Sequence, residues 1–142
     1  MAVYIPESLK AQIANSDGDC CCYCLTTEAN SGISMTYEHI QPVSKGGKTS
    51  FENVCLACRS CNEFKGNSTE NIDPLTGETF ILFNPRRQKW SDHFAWSVDG
   101  TRVKGKTSIG RATIVCLKMN NSVIVVARKR WVISGWHPPL LS

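Results

Sequence analysis

Acidic side chains are almost absent from the second half of this 142-residue chain. Residues 79–142 contain two Asp or Glu against eleven Lys or Arg, and residues 1–78 contain ten against five. The two parts therefore carry +9 and −5, which sum to the overall charge of +4. Such a surplus on one segment indicates a polyanionic partner. We expect residues 1–78 to form a core and residues 79–142 a basic extension packed on it.

The sequence also lacks any run of eighteen apolar residues, and its amino end lacks the basic start of a secretory signal. These absences favour a cytoplasmic protein that does not bind a membrane. In that compartment eight cysteines do not indicate a disulfide framework. Metal binding by thiolates is the better interpretation of their number.

Four of the cysteines form two Cys-x-x-Cys pairs, Cys21 with Cys24 and Cys58 with Cys61. This spacing is typical of a tetrahedral structural zinc site, which has no open position and does no chemistry itself. Free buried thiols are the alternative. The neighbours Cys20 and Cys22 leave a second choice open, because either could replace Cys21 as a ligand. Two further cysteines, Cys55 and Cys116, are expected to be buried as small apolar residues.

Between and beside these pairs lies a dense series of short motifs. A short strand is predicted over 35–40, a second over 51–57, and a helix from Arg59 to a stop at Gly66. Strand, loop, strand and helix together predict a ββα unit. The motifs within it are Glu38-His39-Ile40-x-Pro42, Gly46-Gly47, Asn53, Cys58-x-x-Cys61-Asn62 and Lys65-Gly66.

In this order the motifs resemble the HNH endonucleases, also called ββα-metal nucleases, over residues 20 to 70. The resemblance implies hydrolysis of DNA phosphodiester bonds, leaving 5′-phosphate and 3′-hydroxyl ends. It implies that His39 is the general base and that Asn53 braces the loop between the strands. Glu38 matches an acidic metal ligand that is more often Asp in the family. Asn62 stands where the family name has its last His, so the chain resembles an HNN variant.

A carboxylate and an amide oxygen, from Glu38 and Asn62, favour Mg²⁺ or Mn²⁺ over Zn²⁺ at the catalytic position. Lys65 lies three residues after Asn62, on the same helical face, and could contact a phosphate. A solvated helix lysine is the alternative interpretation of Lys65.

The extension has its own predicted elements: a hairpin about Asp99-Gly100 and two helices, over 109–119 and 123–133. Parts of it resemble the carboxy-terminal extension of short bacterial, notably cyanobacterial, HNH proteins. His93 lies between two tryptophans and could be structural or could approach the site. Six cations near Trp90 and Trp131 are the candidates for contacts to the DNA backbone: Arg86, Arg87, Lys89, Arg128, Lys129 and Arg130.

The predicted fold class is α+β: a ββα-metal core with a four-cysteine zinc site and an amino-terminal helix near 6–17, followed by the hairpin and two-helix extension. Residues 26–34 are expected to be a loop. Two other functions stay open. The chain could be a zinc-stabilised DNA-binding module without cleavage, or a subunit of a restriction or phage-type assembly that cuts only with a partner. Monomer and homodimer are both compatible with the sequence.

Overall fold

The computed structural model describes residues 3–140 and has the α+β composition predicted from the sequence. Its described helices are α1 (Glu7–Asp17), α2 (Glu28–Ser31), α3 (Arg59–Lys65), α4 (Trp90–His93), α5 (Ser108–Leu117) and α6 (Ser122–Ile133). Its described strands are β1 (Thr36–His39), β2 (Val54–Ala57), β3 (Glu70–Ile72), β4 (Thr79–Ile81), β5 (Phe94–Trp96) and β6 (Val103–Gly105). They pair as three antiparallel ribbons, β1 with β2, β3 with β4 and β5 with β6.

The predicted ββα unit is formed by β1, β2 and α3. Thr36 lies opposite Ala57 and His39 opposite Val54, and α3 begins directly after the ribbon. The second strand is shorter than predicted, because Phe51–Asn53 forms a 3₁₀ turn before β2 begins. The 3₁₀ turn directs the Asn53 side chain toward the loop that joins the two strands.

The amino-terminal helix is α1, and it ends where the sequence predicted. Gly18 follows it with φ +62°, a left-handed conformation that glycine adopts without strain. Ile13 in this helix is fully buried. The loop predicted over 26–34 is partly wrong, because Thr27 caps the short helix α2 within it by accepting the N–H of Asn30.

The predicted hairpin and two helices of the extension are β5, β6, α5 and α6. The ribbon β3–β4 and the short helix α4 were not predicted. Each strand of that ribbon has three residues, two of them exposed, so neither carries an apolar pattern. The turn Asp73-Pro74-Leu75-Thr76-Gly77, which the sequence does show, joins the two strands.

One hydrophobic core contains residues from both parts of the chain, among them Ile13, Tyr23 and Leu56 from the first and Phe94 and Leu117 from the second. Helix α5 joins the two parts of the chain, because it packs against α3 and β3 of the first part and against β4 and β6 of the second. None of the described helices is by itself long and apolar enough to cross a membrane; α5 and α6 reach that length and apolarity only as a pair bent by 106°.

Candidate active site and metal centre

The structure brings together the four predicted cysteine ligands. The Sγ atoms of Cys21, Cys24, Cys58 and Cys61 all lie within 4.8 Å of one another, and all four residues are buried. Each pair forms a tight turn in which the second cysteine's backbone N–H donates to the first cysteine's sulfur at 3.4 Å. Four buried sulfur atoms are the donor set of a structural zinc site.

The other cysteines lie outside this cluster. The thiol of Cys20 donates instead to the Leu25 carbonyl oxygen at 3.2 Å, and Cys22 lies against Cys55. The alternatives in which Cys20 or Cys22 replaces Cys21 are therefore not the arrangement in the structure. Cys55 and Cys116 are buried among apolar residues, as the sequence predicted.

An open cleft of about 630 Å³ brings together three of the predicted catalytic residues. Glu38 and His39 at the end of β1 and Asn62 on α3 all line it. Successive residues of a regular strand point to opposite faces, so Glu38 and His39 could not both reach a cleft beside the strand. They do so here because β1 ends at His39, where the chain turns toward Pro42.

Glu38 is buried and forms an ion pair with Lys65, whose ammonium lies 2.9 Å from Oε1. Lys65 is 1% exposed and also donates to the carbonyl oxygens of His39 and Ile40. The prediction that Lys65 contacts a DNA phosphate is therefore wrong, because its ammonium is buried and already bonded to Glu38 and to two carbonyl oxygens. Burial raises the pKa of the Glu38 carboxyl, and the Lys65 charge acts in the opposite direction.

The His39 ring is half-buried, and its Nε2 lies 2.9 Å from the Thr49 hydroxyl oxygen. Burial lowers the pKa of His39, and the nearby Lys65 charge lowers it further. Both effects favour the neutral ring, which is the form that can accept a proton. The sequence analysis missed Thr49, which lies in the polar loop ten residues after His39.

Asn53 holds the loop that follows β1. Its Oδ1 accepts the backbone N–H of Gln41, and its Nδ2 donates to the carbonyl oxygens of Gln41 and Lys48. Gly47 is required in the same place, because a Cβ there would lie 1.8 Å from the Gln41 oxygen and 2.9 Å from Asn53 Nδ2. Asn53 and Gly47 together fix the loop that carries Thr49 back to His39.

Replacing Asn53 by Asp should disrupt this loop although the side chain keeps its size. A carboxylate keeps the bond from the Gln41 N–H but faces two carbonyl oxygens that it cannot donate to, so it repels both. We expect the free energy of unfolding to fall by about 2 kcal/mol, so that the variant unfolds at a lower denaturant concentration. Its zinc content should stay at the wild-type level. Asn53→Ala should cost no more than Asn53→Asp. Chemical denaturation with a parallel zinc assay measures both, and a wild-type stability for Asn53→Asp contradicts the brace.

Two of the six predicted DNA-contacting cations of the extension are internal. Arg86 makes a two-bond ion pair with Asp17, donates to the carbonyl oxygens of Phe51 and Val54, and lies over the Phe51 ring. Arg128 is fully buried. Both predictions are wrong for the same reason: the charge pattern along the chain does not show which cations the fold encloses.

The remaining four, Arg87, Lys89, Lys129 and Arg130, have exposed side chains and keep their predicted role as a hypothesis. His93 packs edge-on to Phe83, and its Nδ1 lies 2.7 Å from the Thr107 hydroxyl oxygen. Since His93 does not line the cleft with Glu38 and Asn62, its contacts favour the structural alternative.

A family model described as HNH endonuclease matches residues 21–68. No curated protein matches the chain, and no solved structure does. The matched segment contains β1, β2 and α3, the cleft residues Glu38, His39 and Asn62, and all four clustered cysteines. Residues 21–68 therefore match the HNH endonuclease family model, and their four-cysteine cluster fits the form of that domain that carries a zinc site.

Proposed function

We propose that this protein hydrolyses phosphodiester bonds of DNA, with His39 as the general base and with Glu38 and Asn62 holding a Mg²⁺ or Mn²⁺ ion. The observation that carries this proposal is the meeting of an imidazole, a carboxylate and an amide in one open cleft inside an HNH domain. General bases, hard-metal ligands and an entrance for a polymer are the parts that metal-assisted hydrolysis needs.

Two features of its surroundings suit His39 to act as the general base: the Thr49 contact and its lowered pKa. When Nε2–H donates to Thr49, Nδ1 is the only ring nitrogen left to accept a proton from the attacking water. The lowered pKa keeps this nitrogen unprotonated at neutral pH. Thr49 thus acts as a positioning residue, which sets the tautomer and the angle of the ring without contacting the substrate.

The metal position is supported by the donor set. A carboxylate oxygen and an amide oxygen suit a hard divalent ion. Among the described residues, Lys65 bonds only Oε1 of Glu38, so Oε2 is left for the ion. Bound there, the ion would stabilise the negative charge that develops on the phosphate in the transition state. The Lys65 charge opposes the effect of burial on the pKa of Glu38 and so favours the ionised carboxylate.

The extension is proposed to hold the DNA backbone through Arg87, Lys89, Lys129 and Arg130. Their exposure and the excess of positive charge over residues 79–142 support this. Each phosphate that a cation neutralises adds about −0.9 to the slope of log affinity against log salt on duplex DNA. Replacing one of these residues by Ala should therefore weaken binding to any sequence and reduce the slope by about one.

Incubation of supercoiled plasmid with the purified protein tests the function. We expect relaxed or linear product with Mg²⁺ or Mn²⁺ and none with EDTA at a concentration that leaves the zinc in place, as a zinc assay shows. A parallel gel-shift experiment distinguishes the other two functions. DNA binding without cleavage in any metal identifies a binding module, and cleavage that appears only with added host extract identifies a subunit of a larger assembly.

Loss of the Lys65 charge should affect both stability and catalysis. Lys65→Met leaves Glu38 buried without its partner, which typically costs 3–5 kcal/mol. We expect the double variant Glu38→Gln/Lys65→Met to regain most of that stability, because both charges are then removed, and still to be inactive. Chemical denaturation of Lys65→Met and of the double variant measures this, with Lys104→Met as an exposed control. Equal stability of Lys65→Met and Lys104→Met contradicts the ion pair.

A further inference from the structure

Arg128 on α6 is a buried cation without a carboxylate partner. Its side chain is 0% exposed, and no Asp or Glu among residues 3–140 lies within ion-pair distance. Nη1 donates to the Thr101 carbonyl oxygen at 3.1 Å and to Asn120 Oδ1 at 3.2 Å. The buried Nε and Nη2 have no oxygen or nitrogen acceptor among the described residues. A buried charge with unsatisfied N–H groups costs several kcal/mol unless something nearby compensates it.

The Arg128 guanidinium lies over the Trp96 ring, 5.3 Å from its centroid, and also borders the cysteine cluster. Arg128 lines a cavity of about 10 Å³ together with Cys24, Cys58 and Cys61, which leaves room for about one water molecule. The cation and three of the four sulfur atoms thus border one small cavity in the protein interior.

A cation beside the cysteine cluster would offset the negative charge of the zinc-loaded site. Four thiolates around one Zn²⁺ carry a net charge of −2, and such a site is stabilised by donors and cations around its sulfur atoms. Lys118 also lines this cavity, but its side chain is exposed and its ammonium lies over the Phe64 ring, so Arg128 is the buried cation beside the cluster. Zinc is therefore what would fix the negative charge that faces Arg128.

We propose that Arg128 is the counter-charge of the zinc–cysteine site, and that it couples metal loading of the HNH domain to docking of α6. The proposal rests on zinc in the cysteine cluster and does not depend on nuclease activity. Helix α6 is then a metal-dependent part of the fold. The three basic residues Arg128-Lys129-Arg130 lie on different faces of α6. Arg128 faces the zinc site, and Lys129 and Arg130 face solvent.

Zinc release to a strong chelator, followed with a metal-binding dye, tests the role of the charge. Arg128→Met keeps most of the side-chain volume without the charge, and we expect it to release zinc at least tenfold faster than the wild type. Arg128→Lys keeps the charge and should stay within about threefold. Lys129→Met, which removes the same charge one residue away on the exposed side, should match the wild type. Wild-type zinc release from folded Arg128→Met overturns the proposal.

Amide hydrogen exchange of the wild type tests the coupling even if Arg128→Met does not fold. Exchange is measured at a series of free zinc concentrations set by a metal buffer. We expect the amides of α6 to lose protection as zinc falls, at least threefold more than those of α1, which packs against β2. Equal responses of α6 and α1, or an α6 that stays protected in zinc-free protein, overturn the proposal.

Discussion

Replacing His39 by alanine is expected to lower the single-turnover rate of DNA cleavage about a thousandfold. General-base catalysis contributes 10²- to 10⁴-fold in typical enzymes, and within the described cleft His39 is the side chain that can accept a proton near neutral pH. Affinity for DNA should change little, because His39 is not one of the exposed cations of the extension. The measurement is the cleavage rate at saturating protein, with zinc content and circular dichroism matched to the wild type.

The hydroxyl of Thr49 gives this prediction a graded control. Thr49→Val keeps the shape of the side chain but loses the bond to His39 Nε2, which is worth about 1–1.5 kcal/mol and corresponds to about tenfold in rate. Thr49→Ser keeps the hydroxyl and should restore most of the activity. Nitrogen NMR of the His39 ring, assigned by comparison with His39→Ala, should show protonated Nε2 in the wild type and a mixture of tautomers in Thr49→Val. Wild-type activity in His39→Ala would remove the general-base assignment.

Replacing Cys58 by serine is expected to abolish stoichiometric zinc binding and to destabilise the whole protein. Cys58 is a member of the four-sulfur cluster and caps α3 by accepting the N–H of Cys61. Because apparent zinc-binding energies of structural sites are about 10–16 kcal/mol, loss of the site should lower the melting temperature by more than about 10 °C. The measurements are zinc content and thermal unfolding.

Cys20→Ser is the matched control, because Cys20 is adjacent to a ligand in sequence but donates to the Leu25 carbonyl oxygen. It should retain one zinc per chain and unfold within a few degrees of the wild type. If Cys20→Ser loses zinc and Cys21→Ser keeps it, the ligand assignment in the structure is incorrect.

Features that depend on nearby residues were predictable from the sequence. Each Cys-x-x-Cys turn is closed by hydrogen bonds within four residues, so its spacing alone indicates a metal site. Helices α5 and α6 are each ten residues or longer, and the Asn120-Asn121 break between them is visible in the sequence. The ribbon β3–β4 was missed because three-residue strands with one half-buried position have no distinguishable period.

Features that depend on pairs distant in sequence were not predictable. Glu38 and Lys65 are 27 residues apart, and Asp17 and Arg86 are 69 apart, so no local pattern shows that these charges neutralise each other. One signal for Arg128 was available. It lies four residues after Ile124 and three before the buried Trp131, on the inner face of α6, where a helix places its core residues.

The contacts in the structure reduce the set of cations proposed to contact DNA. Three of the cations expected to contact phosphate lie inside the protein instead: Lys65 pairs with Glu38, Arg86 binds Asp17 of α1 and the Val54 carbonyl oxygen of β2, and Arg128 lies beside the cysteine cluster. The basic extension therefore has two roles in this account. Its buried arginines attach it to the core, and its exposed cations are left for the polyanion.

Product analysis with end-labelled duplex DNA tests the central claim most directly. Wild-type protein with its zinc intact is incubated with Mg²⁺, beside His39→Ala of equal zinc content. The account predicts metal-dependent cleavage by the wild type, with 5′-phosphate and 3′-hydroxyl ends that a ligase can rejoin, and at least a hundredfold less product from His39→Ala. Equal cleavage by both proteins, or no cleavage of single- or double-stranded DNA by the zinc-loaded wild type, would contradict it.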